Sequence, residues 1–148
     1  EREAAVRQLV RIGYDNLRGY LEDGLAAWAR AGLPLAGVQV MPAGELHRRM
    51  AGGEELTVLD VRQESEWLEG HIAGATHVEA GRLPHTALPF DAGHPIVVQC
   101  AAGDRSTVAI SVLEQRGYRN LFLLEGGLNR WQARGLPLEP GPGSREQD

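Results

Sequence analysis

The sequence predicts an α/β fold in which parallel strands form a sheet with helices on its faces. Residues 57–61 (Thr-Val-Leu-Asp-Val) and 95–99 (Pro-Ile-Val-Val-Gln) are short apolar runs without strict alternation, which is typical of strands buried on both faces. Segments with helical periodicity separate these runs, and this alternation of strands and helices favours a parallel sheet. Functional sites in such sheets lie at the carboxyl ends of the strands.

Proline and glycine residues delimit the predicted elements. Pro42 stands at a favoured first-turn position of a helix, and Gly117 follows the end of another. The predicted strands are residues 38–40, 57–61, 76–78, 95–99 and 121–124, and the predicted helices are residues 42–50, 64–69, 106–116 and 127–134. Residues 80–90 contain two prolines and allow only short helices. Residues 139–148 are mostly proline, glycine and charged residues without periodicity, which predicts a mobile end of the chain.

Composition and charge exclude several classes of partner. The chain of 148 residues is 43% hydrophobic and 24% charged, and its net charge of −5 offers no basic surface to nucleic acid or to an anionic membrane. No apolar run approaches the roughly 20 residues of a membrane span. The single cysteine excludes an internal disulfide and favours a reducing compartment, which predicts a cytoplasmic protein. The five histidines show no metal-ligand spacing, so no metal site and no cofactor is predicted.

The only cysteine stands where a predicted strand meets a predicted helix. Cys100 ends the strand, and residues 101–105 (Ala-Ala-Gly-Asp-Arg) lead into a helix start near Ser106. Gly103 permits a positive φ, which lets successive N–H groups of a short loop converge on one point. Those groups, the helix N-terminus and the fixed charge of Arg105 favour a thiolate and would hold an anion beside it. A buried, unreactive cysteine is the alternative interpretation.

Three ordered motifs resemble those of the rhodanese-homology family of sulfurtransferases. The run from Cys100 to Ser106 matches that family's active-site loop, in which four residues separate Cys from Arg. The other two motifs are a first signature at residues 59–62, 66–67 and 70–75, and a closing signature at residues 124–128 with Trp131. The resemblance runs from about residue 38 to residue 137, and it implies the family's five-stranded, mostly parallel sheet flanked by helices.

The resemblance implies sulfur transfer through a persulfide. The Cys100 thiolate would take the outer sulfur of thiosulfate or of a low-molecular-weight persulfide and pass it to cyanide, sulfite or a thiol. The loop N–H groups would stabilise the charged sulfur, and Arg105 would hold an anionic donor. The expected substrate-binding residues are those that follow the nucleophile: Ala101, Ala102, Gly103, Asp104, Arg105 and Ser106. Since no second cysteine exists to resolve the persulfide, the sulfur must pass directly to an external acceptor.

The composition of the loop favours a bulky sulfur donor. Ala101 and Ala102 are small and Asp104 is acidic, so no residue between Cys100 and Arg105 adds positive charge for a small dianion such as thiosulfate. A neutral, open loop leaves room for glutathione persulfide, which is the preferred donor. The expected partners are therefore a small-molecule sulfur donor and a small-molecule acceptor.

Two other functions stay open on the residues alone. Some phosphatases and arsenate reductases share this fold and also combine Cys with Arg, but they need five intervening residues to enclose a phosphate. This chain has four, from Ala101 to Asp104. The second alternative is a non-catalytic binding or regulatory module, although inert copies usually lose the cysteine that stands here at position 100.

Four further polar residues near the predicted strand ends are interpreted as structural. Asp60 and Arg62 also fall at a carboxyl end of the sheet, where a buried Asp usually fixes a loop through hydrogen bonds. Glu66 and His71 are interpreted as packing and turn residues.

The first 36 residues repeat the sequence of the last strand and helices. Residues 13–17 (Gly-Tyr-Asp-Asn-Leu) match residues 117–121 (Gly-Tyr-Arg-Asn-Leu). A pattern of Leu-Glu-x-Gly-Leu, Trp and Gly-Leu-Pro-Leu recurs at residues 21–35 and 124–138, with one residue inserted between the two alignments. The sequence therefore predicts three segments: a truncated, non-catalytic remnant of a preceding rhodanese-like domain at 1–36, a rhodanese domain at 37–139 with its loop at 100–105, and a mobile tail at 140–148.

The apolar residues of the predicted remnant would lack a core of their own. The residues that must pack elsewhere or mediate association are Val6, Leu9, Leu17, Leu21, Leu25 and Trp28. An inert rhodanese copy before an active one resembles fusions that begin with a metallo-β-lactamase-fold persulfide dioxygenase. That resemblance implies such a dioxygenase, fused or associated, as a partner in the parent protein.

Overall fold

The computed structural model describes residues 2–11 and 16–141, without the side chains at positions 8, 9 and 11, and it divides into two units. The smaller unit comprises residues 1–37 and the larger unit residues 38–148. None of the helices in the described residues combines the length and the hydropathy needed to cross a membrane.

The larger unit is a five-stranded sheet with helices on both faces. Its strands are β1 (Gln39–Met41), β2 (Thr57–Asp60), β3 (Thr76–His77), β4 (Ile96–Gln99) and β5 (Leu121–Leu124), and its helices are α3 (Ala43–Ala51), α4 (Glu64–Glu69), α5 (Asp104–Gln115) and α6 (Gly127–Ala133). The strands lie in the order β1-β5-β4-β2-β3, and every pair is parallel. The predicted α/β class is confirmed, and the sheet is parallel throughout.

The apolar runs became strands because both of their faces are covered. All four residues of β4 are buried, since this strand lies between β5 and β2 at the centre of the sheet. Val98 packs into one core with Ile110 of α5, whereas Val97 packs on the opposite face with Trp131 of α6. Cys100 directly follows this central, rigid strand.

Three local predictions differ from the structure. Helix α5 begins at Asp104, two residues earlier than predicted, because Gly103 serves as its N-cap with φ of 124°. Residues 80–90 form turns and no helix, since Pro84 interrupts the hydrogen bonding of that segment. Glu139, the first residue of the predicted mobile end, is held to the domain by backbone hydrogen bonds with His71. Residues 142–148 of that end lie outside the described residues.

Among its described residues, the smaller unit holds two helices, α1 (Arg2–Arg11) and α2 (Gly24–Arg30). Five of the six apolar residues that the sequence singled out in this unit are exposed: Val6, Leu17, Leu21, Leu25 and Trp28. The structure does not describe the side chain of Leu9 or residues 12–15, which include part of the repeated Gly-Tyr motif.

Candidate active site

The loop between β4 and α5 surrounds the Cys100 sulfur with backbone N–H groups. The Gly103 N–H donates to Sγ at 3.1 Å, and the positive φ of Gly103 turns this amide back toward the strand end. The Thr107 hydroxyl donates to the Gly103 carbonyl at 3.0 Å, which fixes the loop to the first turn of α5. The predicted amide cradle is therefore present around the sulfur.

Burial and hydrogen bonding act in opposite directions on the Cys100 thiol. The residue is only 2% exposed, and burial alone would raise its pKa. The nearby Ser106 hydroxyl and the N–H groups of Ser106, Gly103 and Ala102 favour the charged sulfur by more than burial disfavours it, so the pKa of Cys100 lies below its ordinary value. The loop is thus built to stabilise a thiolate.

Ser106 places a buried hydroxyl in the first turn of α5. Its side chain is fully buried, and among the described residues its Oγ forms no hydrogen bond of ordinary geometry. The hydroxyl is therefore free to turn toward Cys100, whose pKa it helps to lower. A buried hydroxyl without another partner gains most when the sulfur is charged.

The lowered pKa predicts that the Cys100 thiol ionises at a lower pH in the folded protein than in urea. Thiolate absorbance in the ultraviolet should rise with a midpoint below the roughly 8.5 of a free cysteine. Because the folded-state pKa is lowered, the thiolate stabilises the fold fully above the unfolded-state pKa, and this contribution disappears as pH falls through the folded-state pKa. A folded midpoint at or above that of the urea-unfolded chain would contradict the prediction.

The N-terminus of α6 holds the other side of the loop. The N–H groups of Leu128 and Asn129 donate to the carbonyls of Cys100 and Ala101 at 2.8 and 3.0 Å. These bonds turn the two carbonyls toward α6 and away from the sulfur. Gly127 makes the close approach possible, because a Cβ on it would lie 2.3 Å from the Cys100 carbonyl oxygen.

Arg105 forms a two-pronged ion pair with Glu66 of α4. Its two terminal nitrogens contact the two carboxylate oxygens at 2.5 and 2.8 Å, and both side chains are about one-third exposed, at 38% and 31%. The hydrogen bonds from Arg105 lower the pKa of Glu66 to about 2. The pKa of Arg105 is raised, first by Glu66 and more weakly by its interaction with the Cys100 sulfur. Glu66 also accepts the Gln63 N–H at the start of α4, as its interpretation as a packing and turn residue allows, and the pair with Arg105 is a contact that the sequence did not indicate.

Asp60 and Arg62 form a buried ion pair that supports α4. The Arg62 guanidinium donates to both carboxylate oxygens of Asp60 at 2.7–3.0 Å. It also donates to the carbonyls of Glu66 and Gly70, at 3.0 and 2.8 Å. Because the pair fixes the helix that presents Glu66, it positions the partner of Arg105. The predicted structural role of Asp60 is confirmed.

A polar cleft of about 160 Å³ opens beside the loop. It is lined by Arg62, Glu66, Glu69, Gly70, Ala101, Leu128, Asn129 and Gln132. Arg62 is paired with Asp60 and Glu66 with Arg105, so among the described residues Glu69 is the lining carboxylate without an ion pair. A ligand that enters the cleft meets this negative charge.

The predicted site residues lie together around the sulfur, but not all of them face it. Ala102 and Asp104 are exposed, and Ala101 borders the cleft. Sequence reasoning missed Glu66 and Gly127. The double glycine at residues 126–127 signalled a tight turn, whereas nothing local to Glu66 indicated its partner 39 residues away.

Comparison with known proteins decides the family. The family model described as "Rhodanese-like domain" matches residues 42–134. The chain belongs to the rhodanese-like family.

Relatives of this rhodanese-like chain carry sulfurtransferase names. It is 28% identical over 92 residues to the thiosulfate sulfurtransferase GlpE of Stutzerimonas stutzeri, covering 62% of this chain and 83% of the relative. It is 29% identical over 101 residues to a sulfurtransferase of Allochromatium vinosum, covering 68% and 94%. The solution structure of the rhodanese-like domain of the Anabaena Alr3790 protein is 30% identical, with a TM-score of 0.65 and coverage of 76% of this chain and 86% of that one.

The family assignment and the geometry of the loop agree. The matched region of the rhodanese-like chain contains strands β2 to β5, the amide cradle and Cys100. The relatives' names support sulfurtransferase chemistry in general. The segment of residues 1–37 lies outside the matched region.

Proposed function

We propose that this protein is a sulfurtransferase that carries a sulfane sulfur as a persulfide on Cys100. The observation that carries the proposal is the lowered pKa of a cysteine whose sulfur accepts the Gly103 N–H at the end of a central parallel strand. A thiolate held by fixed amides is a preorganised nucleophile, and the same amides can stabilise the charge of the bound persulfide.

The proposed reaction has two displacement steps. The Cys100 sulfur attacks the outer sulfur of a persulfide RS–SH, a new S–S bond forms, and the RS–S bond breaks with its electron pair on the departing thiolate RS⁻. In the second step an acceptor such as sulfite, cyanide or a thiol attacks the outer sulfur of the Cys100 persulfide. The Cys100 thiolate leaves, and the acceptor departs as thiosulfate, thiocyanate or a new persulfide.

Glutathione persulfide is the proposed donor because the charges near the loop do not suit a small dianion. Both terminal nitrogens of the Arg105 guanidinium donate to the Glu66 carboxylate. An anionic donor must therefore compete with this carboxylate for Arg105. Glu69 adds a further negative charge to the cleft beside Ala101. Glutathione persulfide carries two carboxylates but also an ammonium group that Glu69 would attract, and its charge is spread over a larger molecule, whereas thiosulfate is a compact dianion without a cationic group.

The remaining expectations about context are also proposals. We propose a cytoplasmic enzyme, since a reactive thiol that has no second cysteine to pair with suits a reducing compartment. A metallo-β-lactamase-fold dioxygenase, fused or associated, would share its persulfide substrate. Neither cofactor nor metal is needed for the two steps.

The proposed function is tested by intact-mass spectrometry after brief exposure to glutathione persulfide, with thiosulfate in parallel. We expect the chain to gain one sulfur atom, and cyanide or sulfite to remove it. The Cys100→Ala variant should gain none. If the wild-type chain takes up no sulfur from either donor, the sulfurtransferase proposal is wrong and a binding module becomes the better interpretation.

Replacing Glu66 with glutamine should shift donor preference toward thiosulfate. The change removes the negative charge beside Arg105 while keeping the size of the side chain at position 66. If the attraction between Arg105 and the dianion grows by about 1.4 kcal/mol, kcat/KM for the dianion rises roughly tenfold. The kcat/KM for glutathione persulfide should stay level or fall. Glu64→Gln on the exposed side of the same helix is the matched control, because Glu64 makes no side-chain ion pair among the described residues. An unchanged ratio of the two donors in Glu66→Gln would contradict this account of specificity.

A further inference from the structure

The segment that contains α2 is a copy of the segment that contains α6, and the copy preserves the buried positions. Residues 24–35 and 127–138 share Gly, Leu, Trp, Gly, Leu, Pro and Leu at matching places. The positions that differ are all exposed in the α6 segment: Asn129, Arg130, Gln132, Ala133 and Arg134. The copy has therefore changed only where α6 faces solvent.

The two segments also share their backbone geometry and internal hydrogen bonds. Each helix spans seven residues and begins after a residue in the left-handed region. The indole N–H of Trp28 donates to the Pro34 carbonyl at 2.9 Å, and that of Trp131 donates to the Pro137 carbonyl at 2.9 Å. The α2 segment is thus prefolded in the form that α6 adopts on its sheet.

Burial separates the two copies. Leu128 and Trp131 are 4% and 1% exposed, because they pack against the core on one face of the sheet. Their counterparts Leu25 and Trp28 are 74% and 38% exposed. The face that α6 buries on the sheet is unpartnered on α2.

Gly24 shares the backbone conformation of the glycine that approaches the Cys100 carbonyl. Its counterpart Gly127 has φ of 58° and lies so near the Cys100 carbonyl oxygen that a Cβ would be 2.3 Å from it. Gly24 has φ of 51°, yet nothing lies within 4 Å of the place where its Cβ would be. The α2 segment therefore has a glycine, in the same conformation, at the position where α6 approaches a strand-end carbonyl, but no such carbonyl lies beside Gly24.

The residues before α2 show that the missing neighbour is a sheet. Residues 17–21 correspond to β5, which pairs with β4 on one side and with β1 on the other. Within the described residues 16–21 no strand forms. The segment that the alignment places opposite a central strand keeps the leucines at its two ends, Leu17 and Leu21, but has no strand beside it among the described residues.

We propose that the face of α2 carrying Leu25 and Trp28 is a docking surface for the parallel sheet of a second rhodanese-like domain. Residues 1–36 would supply that domain's last strand and helices. Gly24 would receive the carbonyl at the end of the domain's central strand, as Gly127 receives that of Cys100. This inference is independent of the proposed sulfur transfer.

The experiment uses this chain's own sheet as the probe, in the full chain with α6 weakened. Leu128→Ala with Trp131→Ala removes the two α6 side chains that pack on the sheet, and α2 is then the segment that still carries their counterparts. We expect amide exchange over residues 24–30 to be slower in this weakened chain than in the unsubstituted chain. Adding Leu25→Ala with Trp28→Ala should lower the thermal midpoint of the weakened chain by more than about 10 °C, but should shift the unsubstituted chain by no more than about 2 °C.

Ala26→Asn with Ala27→Arg is the matched control, since it changes α2 only at positions that are exposed in α6. It should leave the weakened chain unchanged. Docking within a monomer or in a reciprocal dimer supports the proposal equally, because α2 covers a sheet in both. The proposal is overturned if residues 24–30 exchange no more slowly in the weakened chain than in the unsubstituted chain, or if the Leu25 and Trp28 substitutions affect the weakened chain no more than the control does.

Discussion

Sulfur transfer by the Cys100→Ser variant should fall by more than about 1,000-fold, to the level of the uncatalysed exchange. Serine keeps the size of the side chain and can accept the hydrogen bond that the Gly103 N–H gives to the sulfur. The fold should therefore persist, while the polarisable thiolate that attacks a sulfane sulfur is lost. Steady-state thiocyanate formation, together with a circular dichroism melt, measures the two properties separately.

A thiol placed elsewhere is the control for Cys100→Ser. Ser111 lies on an exposed face of α5, where its hydroxyl contacts only the Thr107 carbonyl, so Ser111→Cys in the Cys100→Ser background supplies a thiol without the amide cradle. We expect no catalytic turnover from that thiol. Turnover that survives in Cys100→Ser, or that returns with the thiol at position 111, would show that the cradle is not the source of activity.

Gly127→Ala should destabilise the protein by about 2–5 kcal/mol and abolish sulfur transfer in the fraction that stays folded. A side chain in the left-handed region costs about 1–2 kcal/mol, and overlap in a packed core costs about 1–3 kcal/mol or more. The new Cβ would meet the Cys100 carbonyl oxygen at 2.3 Å and that of Ala101 at 2.7 Å, and neither backbone atom can move without displacing the loop. Urea unfolding with kcat/KM on the same samples is the measurement.

Gly135→Ala is the control that separates the cost of a positive φ from the cost of steric overlap at the new Cβ. Gly135 also has a positive φ, 65°, but nothing lies within 4 Å of the place where its Cβ would be. The substitution should carry only the conformational penalty of about 1–2 kcal/mol and leave sulfur transfer intact. Equal destabilisation by both variants, or an active Gly127→Ala enzyme, would contradict the role of Gly127 in holding the loop.

The local architecture was predictable because its signals are local. Apolar runs without alternation identified the buried strands, and β2 and β4 form where they were predicted. The cysteine, glycine and arginine of one short run predicted an amide cradle, and the structure places the Gly103 N–H on the Cys100 sulfur. The error at the start of α5 arose because an N-cap without a side-chain oxygen gives little sequence signal.

The sequence by itself determined the class of the fold, the position of Cys100 at the end of a strand and the repeat that relates α2 to α6. Those features follow from periodicity, residue type and self-similarity, which are readable along the chain. Only the tertiary structure decided that Glu66 pairs with Arg105 and that Gly127 supports the carbonyl of Cys100. Such contacts join distant residues, and strand register and helix placement, which no local pattern encodes, determine which side chains meet at the carboxyl edge of the sheet.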